Sequence, residues 1–287
     1  VVGSGISGGW AAKELCESGL KTLVLERGRM VKHIEDYPTM NLDPWDVKHG
    51  GKTTQEELKN YNKQRRWGVN EGNRHFYNKD SEYDYEEDKP FDWIRGTQVG
   101  GRSLIWGRQT YRWSDDDFEA NLRDGIAIDW PVRYKEIAPW YSYVENFIGV
   151  SGEALNLPQL PDSEFLPPME LNCVEKKLKK SIAKNYSDRI LTIGRVAHIT
   201  KGTKTGAGRG PCQYRNRCDR GCPYGSYFSS NSSTLPVAEK TGNLTIRPDS
   251  VVTEVLYDEK TQKSTGVRVV DTNTKEVLEF KAKVIFL

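Results

Sequence analysis

The sequence lacks any long apolar run, which excludes one class of protein at the outset. No stretch approaches the roughly 18 consecutive apolar residues that a membrane-spanning helix needs, so we predict no transmembrane segment in this stretch. An excess of either charge is also missing, because 42 basic side chains stand against 40 acidic ones, for a net charge of +2. So small a charge gives no general attraction to nucleic acid or to an anionic membrane surface, and we expect no nucleic-acid partner.

Cysteine is scarce as well. Five cysteines in 287 residues are too few to build a small fold from disulfides. We expect Cys16 and Cys173 to be buried apolar residues. The other three, Cys212, Cys218 and Cys222, lie within one short stretch, and their spacing raises the question of a metal site.

Both ends of the sequence are apolar. The chain starts at Val1-Val2 without a methionine and stops in Lys283–Leu287. We therefore expect both ends to lie in strands, and the chain to be the N-terminal part of a longer protein. At this length it can bury a core of one large domain or of two smaller ones.

A glycine pattern opens the chain. Gly3, Gly5 and Gly8 match G-x-G-x-x-G directly after Val1-Val2 and before a stretch of helix composition. The first glycine permits a tight turn, the second lets a pyrophosphate approach the backbone, and the third lets helix and strand pack closely. Glu26 ends the next apolar segment, where a carboxylate accepts hydrogen bonds from ribose hydroxyls. The pattern predicts dinucleotide binding, and the spacing does not distinguish FAD from NAD.

A second glycine-rich stretch, RGTQVGGRSLIWGR, covers residues 95–108. Gly100 and Gly101 allow the backbone to pass close to a flat or bulky group, and Ser103 offers a small hydrogen-bonding side chain. Residues 104–106 supply apolar surface for a ring system. Taken alone, the stretch slightly favours a buried bend over a ring-binding surface.

These motifs, with others along nearly the whole chain, resemble the glucose–methanol–choline (GMC) oxidoreductase family of FAD-dependent alcohol and sugar oxidases and dehydrogenases. The details are nearer to the bacterial FAD-dependent sugar dehydrogenases and the pyranose oxidases than to the choline or cholesterol enzymes. The matching segments follow the order of the family: Val1–Gly8, Val24–Gly28, Gly96–Gly107, Asp129–Pro131, Phe147–Val150, Asn243–Val255 and Gly266-Val267.

The resemblance implies FAD as the cofactor and a set of residues that bind it. In the family the paired-glycine segment runs along the flavin and its pyrophosphate, and Val252 would give a backbone contact on the adenine side. Ile105 stands where pyranose oxidases carry a histidine joined to the flavin, so we expect non-covalent FAD. Trp106 stands where many members carry asparagine. The implied cofactor-binding residues are Gly3, Gly5, Ser7, Gly8, Glu26, Arg27, Gly96, Val99, Gly100, Gly101, Ser103, Leu104, Trp106, Gly107 and Val252.

The activity implied is oxidation of a CH–OH group of a sugar or polyol, with hydride passing to flavin N5 and electrons to an acceptor such as a quinone or cytochrome. A small partner subunit belongs to the same expectation. The family's histidine base lies in a C-terminal half that this sequence does not contain. We assign no catalytic residue here, since His33, His49, His75 and His198 match no such motif.

Three other functions stay open at this point. They are an oxygen-using oxidase of the same family, an electron-transfer subunit without alcohol oxidation, and an NAD-binding reductase. The compartment, cytoplasmic or periplasmic, is open as well.

The cysteine cluster reads PCQYRNRCDRGCPY, with the spacing C-x5-C-x3-C. A structural zinc site usually needs four ligands, and the common ferredoxin spacings do not match. The segment resembles a loop of bacterial FAD-dependent glucose dehydrogenases that holds a [3Fe-4S] cluster through its cysteines. Arg215, Arg217 and Arg220 would offset the charge of such a cluster, or serve a surface loop with no metal. The alternatives are a disulfide with one free thiol, or three structural thiols.

The order of elements predicts an α/β fold: a Rossmann-like FAD-binding domain with a parallel sheet and a β-meander, plus part of an α+β substrate domain. We place the ADP half of the FAD site in residues 1–32 and the flavin-contacting segment in 95–113. The expected divisions in between are an excursion or lid over 33–94, a helical substrate-domain portion over 114–200, a cysteine-rich loop over 201–230 and a return to the FAD-binding domain over 231–287. The expected meander strands are Asn243–Pro248, Val251–Tyr257, Ser264–Asp271 and Glu276–Lys281.

Overall fold

The computed structural model describes residues 1–83 and 85–287, without the side chain of Arg65. Its first sheet forms from short apolar segments that the chain brings together in parallel. The segment TLVL becomes strand β1 (Thr22–Leu25), three of whose four residues are buried. It pairs in parallel with β2 (Leu244–Arg247) on one side. On the other side its Leu25 bridges to Val2, again in parallel.

Two helices cover this sheet. Helix α1 (Ile6–Glu17) connects the Val1–Gly3 segment to β1, and α7 (Thr234–Lys240) packs on α1 and leads to β2. Their apolar faces meet the sheet in one buried cluster of Ala12, Val24, Val99 and Leu235. The strand–helix–strand order therefore builds the parallel unit that the sequence predicts.

A three-stranded antiparallel meander follows. It contains β3 (Ser250–Asp258), β4 (Lys263–Asp271) and β5 (Val277–Lys281), in the order β3-β4-β5. The meander packs on the first sheet through a buried cluster of Leu25, Val267 and Val269. The predicted α/β class, with a parallel sheet and a meander, is confirmed.

One strand of the expected meander belongs elsewhere. We expected Asn243–Pro248 to be its first strand, but the strand within it, β2, pairs in parallel with β1. The reason is packing, because Leu244 and Ile246 lie against the cluster around Val24 and are thereby held in the first sheet.

The remaining helices are short except for two. They are α2 (Gln55–Lys59), α3 (Asp115–Phe118), α4 (Ala120–Asp124), α5 (Tyr134–Ile148) and α6 (Cys173–Asn185). Ser114 is the N-cap of α3, and its N–H donates to the Asp117 carboxylate at 2.8 Å. The expectation that Cys173 is buried is wrong. It is exposed, because it begins α6, a lysine-rich helix with no buried residue.

The chain divides into two units. Unit 1 comprises Val1–Trp106, Arg215–Gly225 and Ser229–Leu287, and unit 2 comprises Gly107–Tyr214 and Ser226–Phe228. The predicted excursion over 33–94 falls in unit 1, and its residue 84 lies outside the described residues. The finer domain bounds remain a prediction. Within the part of the chain that the structure describes, no helix combines the length and apolar character needed to cross a bilayer.

Inside unit 2, two buried arginines form ion pairs that hold loops in place. The Arg112 guanidinium donates to the Glu145 carboxylate of α5 at 2.6 Å, and both side chains are almost fully buried. Arg195 donates to the Pro161 carbonyl at 2.7 Å and pairs with Asp162, which fixes the proline-rich segment around residue 161. A buried pair of this kind satisfies both charges, so breaking either one leaves an uncompensated ion.

Candidate cofactor site

The first glycine turn in unit 1 brings helix α1 unusually close to the strand before it. Gly3 has φ +84°, a left-handed conformation that favours glycine. A Cβ on Gly8 would lie 2.1 Å from the Gly3 carbonyl oxygen, so only glycine lets the helix approach so closely. Gly3 and Gly8 thus have the turning and packing roles that the spacing predicts.

Helix α1 presents a free N-terminus between these glycines. Gly5 is its N-cap and supplies no side-chain cap, and the first turn carries no acidic residue. Ile6 and Ser7 are both exposed there. A Cβ on Gly5 would meet nothing within 4 Å, so open space lies in front of the turn. Unsatisfied N–H groups and the positive end of the helix dipole make this an anion-binding position.

Glu26 lies at the end of β1, beside the first turn. One carboxylate oxygen accepts the Ser4 N–H at 2.9 Å and the Ser4 hydroxyl at 2.5 Å, and the other accepts the Gly28 N–H at 3.0 Å. The side chain is buried. An ionised carboxylate has about four acceptor positions, so these three bonds leave one for a ligand hydroxyl. In this structure the Glu26 carboxylate stabilises the first glycine turn through its bonds to Ser4.

The second glycine turn lies directly against the first. A Cβ on Gly101 would be 3.3 Å from the Gly5 Cα. The Gly100 N–H donates to the Ser4 hydroxyl at 3.0 Å, which joins the two turns through one buried side chain. Gly100 and Gly101 have φ +92° and +49°, so both need the freedom of glycine. Segments about ninety residues apart in sequence are therefore in direct contact.

A buried polar run, SSNSST at residues 229–234, holds the two turns together, and sequence reasoning missed it. The Ser230 hydroxyl donates to the Gly5 carbonyl at 3.0 Å, and its N–H donates to the Ser103 hydroxyl at 2.9 Å. Asn231 donates to the Val99 carbonyl at 3.0 Å. Its Oδ1 would be only 1.7 Å from a Cβ on Gly100, so this close approach requires glycine. The only sequence signal is a dense run of hydroxyl side chains before a helix.

Several predicted cofactor-binding residues are buried inside unit 1. Val99 belongs to the buried cluster under α1, and Leu104 to a second cluster with Val31, Tyr37 and Phe76. Ser103 is fully buried, and its hydroxyl donates to the Gly100 carbonyl at 2.5 Å. These three support the second turn from beneath. Gly96 also serves packing, since a Cβ there would be 2.6 Å from the Phe76 carbonyl oxygen.

The last residues of this stretch are more open. Trp106 is half-buried and ends the first part of unit 1, whereas Gly107 is exposed and begins unit 2. Ile105 is also half-buried and packs on the cluster around Leu104. An isoleucine side chain has no atom able to bond covalently to a cofactor ring.

Arg27 borders a polar cavity of about 380 Å³ in unit 1. Two buried side-chain atoms of its lining have no hydrogen-bond partner, Asn78 Nδ2 and His75 Nε2. Burial, with Arg29 and Arg74 nearby, lowers the pKa of His75 to about 4, so the imidazole is neutral at pH 7. The other lining residues are Gly28, Arg29, Tyr77, Glu82, Tyr83, Thr97, Gln98, Asp249, Val251 and Thr272.

Val252 lies in the meander, next to a break in its ladder. It pairs with Val269, and the register shifts between Val252 and Glu254. A bulge of this kind leaves backbone groups without a strand partner. Such groups suit the backbone contact that the resemblance implies for this position.

The structure does not support the predicted iron–sulfur cluster. Across residues 1–83 and 85–287 no three or more histidine, cysteine or acidic side chains are grouped to hold a metal ion. The boundary between the two units passes between Cys212 and Cys218. In unit 2, the Cys212 sulfur accepts the Tyr214 N–H at 3.4 Å. None of the three cysteines forms a disulfide with another described residue.

The arginines of this loop also have protein partners, all within unit 1. Arg215 donates to the Met40 carbonyl at 2.6 Å, and Arg220 to the Leu42 carbonyl at 3.2 Å. Arg217 pairs with Asp43. These contacts attach the loop to the start of the 33–94 excursion, which is the metal-free role that the sequence leaves open for the three arginines.

Comparison with known proteins decides the family. A profile described as GMC oxidoreductase matches residues 38–287, most of the chain. The chain belongs to the GMC oxidoreductase family. The resemblance drawn from motifs along nearly the whole chain is thereby confirmed, and the matched residues include the second glycine turn, most of the excursion, unit 2 and the meander.

Curated relatives of this GMC oxidoreductase are similar at low identity. The gluconate 2-dehydrogenase flavoprotein of Pantoea cypripedii is 26% identical over 97% of this chain and 48% of its own length. The 2-methyl-1,2-propanediol dehydrogenase of Mycolicibacterium austroafricanum is 25% identical over 99% and 47%. The fructose dehydrogenase large subunit of Gluconobacter japonicus is 24% identical over 91% and 46%. The chain spans about half the length of these relatives.

A solved structure with the same fold is pyridoxine 4-oxidase from Mesorbium loti. It superimposes with a TM-score of 0.50 at 16% sequence identity, covering 98% of this chain and 47% of that one. At this identity the likeness establishes the fold of the GMC oxidoreductase and nothing about its substrate.

Proposed function

We propose that this chain is the FAD-binding part of an oxidoreductase that oxidises a CH–OH group of a sugar or polyol. The observation that carries the proposal is the contact between the two glycine turns, with Gly101 against Gly5 beside an uncapped helix N-terminus. A single turn suits any dinucleotide. Two turns in contact provide a longer surface on which backbone groups approach one extended cofactor.

The residues present fit FAD. The N–H groups at the start of α1 would hold its pyrophosphate, Glu26 its ribose and Arg27 the ADP half, with Val252 supplying a backbone contact. Space in front of Gly5 and the unpartnered Asn78 Nδ2 beside Arg27 are what a bound cofactor would fill. Membership of the GMC oxidoreductases favours FAD over NAD. We propose non-covalent binding, because Ile105 offers no linking atom.

When bound, FAD would supply hydride acceptance at flavin N5. The chain's own residues would hold and orient it, and the buried network of Ser103, Ser230 and Asn231 would keep both turns in place without reorganisation. We assign no catalytic base among the described residues. We propose a non-oxygen acceptor such as a quinone or cytochrome, with or without a small partner subunit, since three relatives are named dehydrogenases.

The test is anaerobic titration of the full-length protein with sugars and polyols while the flavin absorbance is recorded. Bleaching by a sugar or polyol, followed by recovery with a quinone but slow recovery with oxygen, is the expected result. Rapid recovery with oxygen would identify an oxidase. A flavoprotein that no alcohol bleaches would be an electron carrier, and protein without flavin that binds NAD would overturn the proposal.

A further inference from the structure

The polar cavity beside Arg27 is closed on one side by the excursion, a segment that resembles a surface loop in sequence. Residues 74–83 contribute His75, Asn78 and Tyr83 to its lining, which also includes Gly28 and Thr97. The backbones of Gly28 and Thr97 pack directly against each other: a Cβ on Gly28 would lie only 1.5 Å from the Thr97 carbonyl oxygen. Asn78 of the excursion accepts the Thr97 N–H, so the excursion is attached to the segment just before the second glycine turn.

Asn78 is oriented unambiguously in this wall. Its Oδ1 accepts the Thr97 N–H at 2.9 Å, and because a backbone N–H can only donate, Nδ2 must point the other way. The side chain is only 6% exposed, and Nδ2 has no partner. A buried donor left unpaired costs about 1–3 kcal/mol. A ligand in the cavity that offers an acceptor would remove that cost.

Tyr83 connects the same wall to Arg27. The Arg27 guanidinium stacks over the Tyr83 ring, 4.6 Å from its centroid. The Tyr83 and Thr97 hydroxyls are 2.9 Å apart, and the Tyr83 carbonyl accepts from the Arg95 guanidinium at 2.7 Å. Arg27 is otherwise exposed, so the ring is what gives its long side chain a defined position.

We propose that residues 74–83 of the excursion form one wall of the FAD site, with Asn78 as a hydrogen-bond donor to the ADP half of the cofactor and Tyr83 as a positioning residue for Arg27. This inference rests on the proposed function. The chemistry of the cavity suits an acceptor-rich ligand, since Arg27 and Arg29 line it and Asn78 Nδ2 is an unpaired donor in its wall. The neutral His75 adds a polar group without adding charge.

Matched variants of the full-length protein separate the contributions. Tyr83→Phe keeps the ring and loses the hydroxyl, whereas Tyr83→Leu loses the ring. Asn78→Asp keeps the Oδ1 acceptor for Thr97 and replaces the donor by a second acceptor. The measurements are the dissociation constant of FAD from flavin fluorescence, that of ADP by competition, and that of FMN, which lacks the adenosine end.

We expect Tyr83→Leu to weaken FAD and ADP binding about 3- to 30-fold, as the loss of a cation–π contact predicts, and Tyr83→Phe to stay within about twofold. Asn78→Asp should weaken both ligands roughly tenfold or more. FMN binding should not change. In an Arg27→Gln background, Tyr83→Leu should have no further effect, which a merely structural tyrosine would not produce.

The outcomes distinguish this inference from the proposed function. Wild-type protein that binds no FAD would overturn both. Wild-type protein that binds FAD, with Tyr83→Leu and Asn78→Asp variants that bind FAD and ADP equally well, would overturn the wall while leaving the FAD site standing. Equal losses for FMN and ADP would also overturn it, because they would indicate general damage to the fold.

Discussion

Replacing Gly8 by alanine separates the packing role of one glycine from the ligand-facing role of another. The new Cβ would lie 2.1 Å from the Gly3 carbonyl oxygen, and ordinary contact needs more than an ångström beyond that. Helix α1 must therefore move off the Val1–Gly3 segment. Overpacking of this kind costs about 1–3 kcal/mol, which for a chain of this size lowers the melting temperature by roughly 2–10 °C.

Gly5→Ala is the matched control. Gly5 has φ −63°, which alanine adopts without strain, and its Cβ would meet nothing in the protein. We expect the melting temperature without cofactor to change little. The methyl group would instead occupy the space in front of the turn and weaken FAD binding about 5- to 150-fold.

Thermal unfolding followed by circular dichroism, together with FAD titration, measures both variants. The reasoning is refuted if Gly8→Ala is as stable as the wild type, or if Gly5→Ala binds FAD with unchanged affinity. Equal effects of the two variants on stability would show that the two glycines have the same role, contrary to their geometry.

Two further predictions concern the groups around these turns. Glu26→Gln is nearly isosteric but places an NH2 donor against the N–H of Ser4 or Gly28. We therefore expect the free energy of unfolding, measured by urea denaturation, to fall by about 1–3 kcal/mol. An unchanged free energy of unfolding would mean that the carboxylate is not needed as a triple acceptor. The pKa of His75 is lowered from 6.5 to about 4 in the folded chain. At pH values between 6.5 and 4 the unfolded chain therefore binds a proton that the folded chain excludes, and the free energy of unfolding decreases as the pH is lowered through this range. His75→Leu should reduce the loss of unfolding free energy between pH 7 and pH 5 by on the order of 1–2 kcal/mol, and an unchanged pH dependence would contradict the burial of a neutral imidazole.

Local spacing predicted part of this site well. Gly3 and Gly8 are recognisable because a strand, a tight turn and a helix impose their own steric demands within a few residues. The β-branched segments from residue 250 onward likewise predicted a meander. Helix α1 begins at Ile6, before two glycines, Gly8 and Gly9, that oppose helix formation by propensity and are kept there by close packing, which sequence alone does not reveal.

What could not be predicted depends on long-range contacts. Asn231 bonds to Val31 and Val99, 200 and 132 residues away, and nothing in its neighbouring sequence indicates these partners. The same holds for the stacking of Arg27 on Tyr83 and for the arginines that bind residues 40–43. The clustered cysteines and arginines in the sequence suggested a metal cluster, but in the folded chain the arginines bind residues 40–43.

The most direct test of the FAD site is to purify the full-length protein, denature it and measure the cofactor released. We predict one FAD per chain, free in the supernatant after acid precipitation and identified by its mass. Flavin that stays with the precipitated protein would contradict non-covalent binding. A protein that carries no flavin, and does not bind added FAD, would contradict the central claim that the two glycine turns form its site.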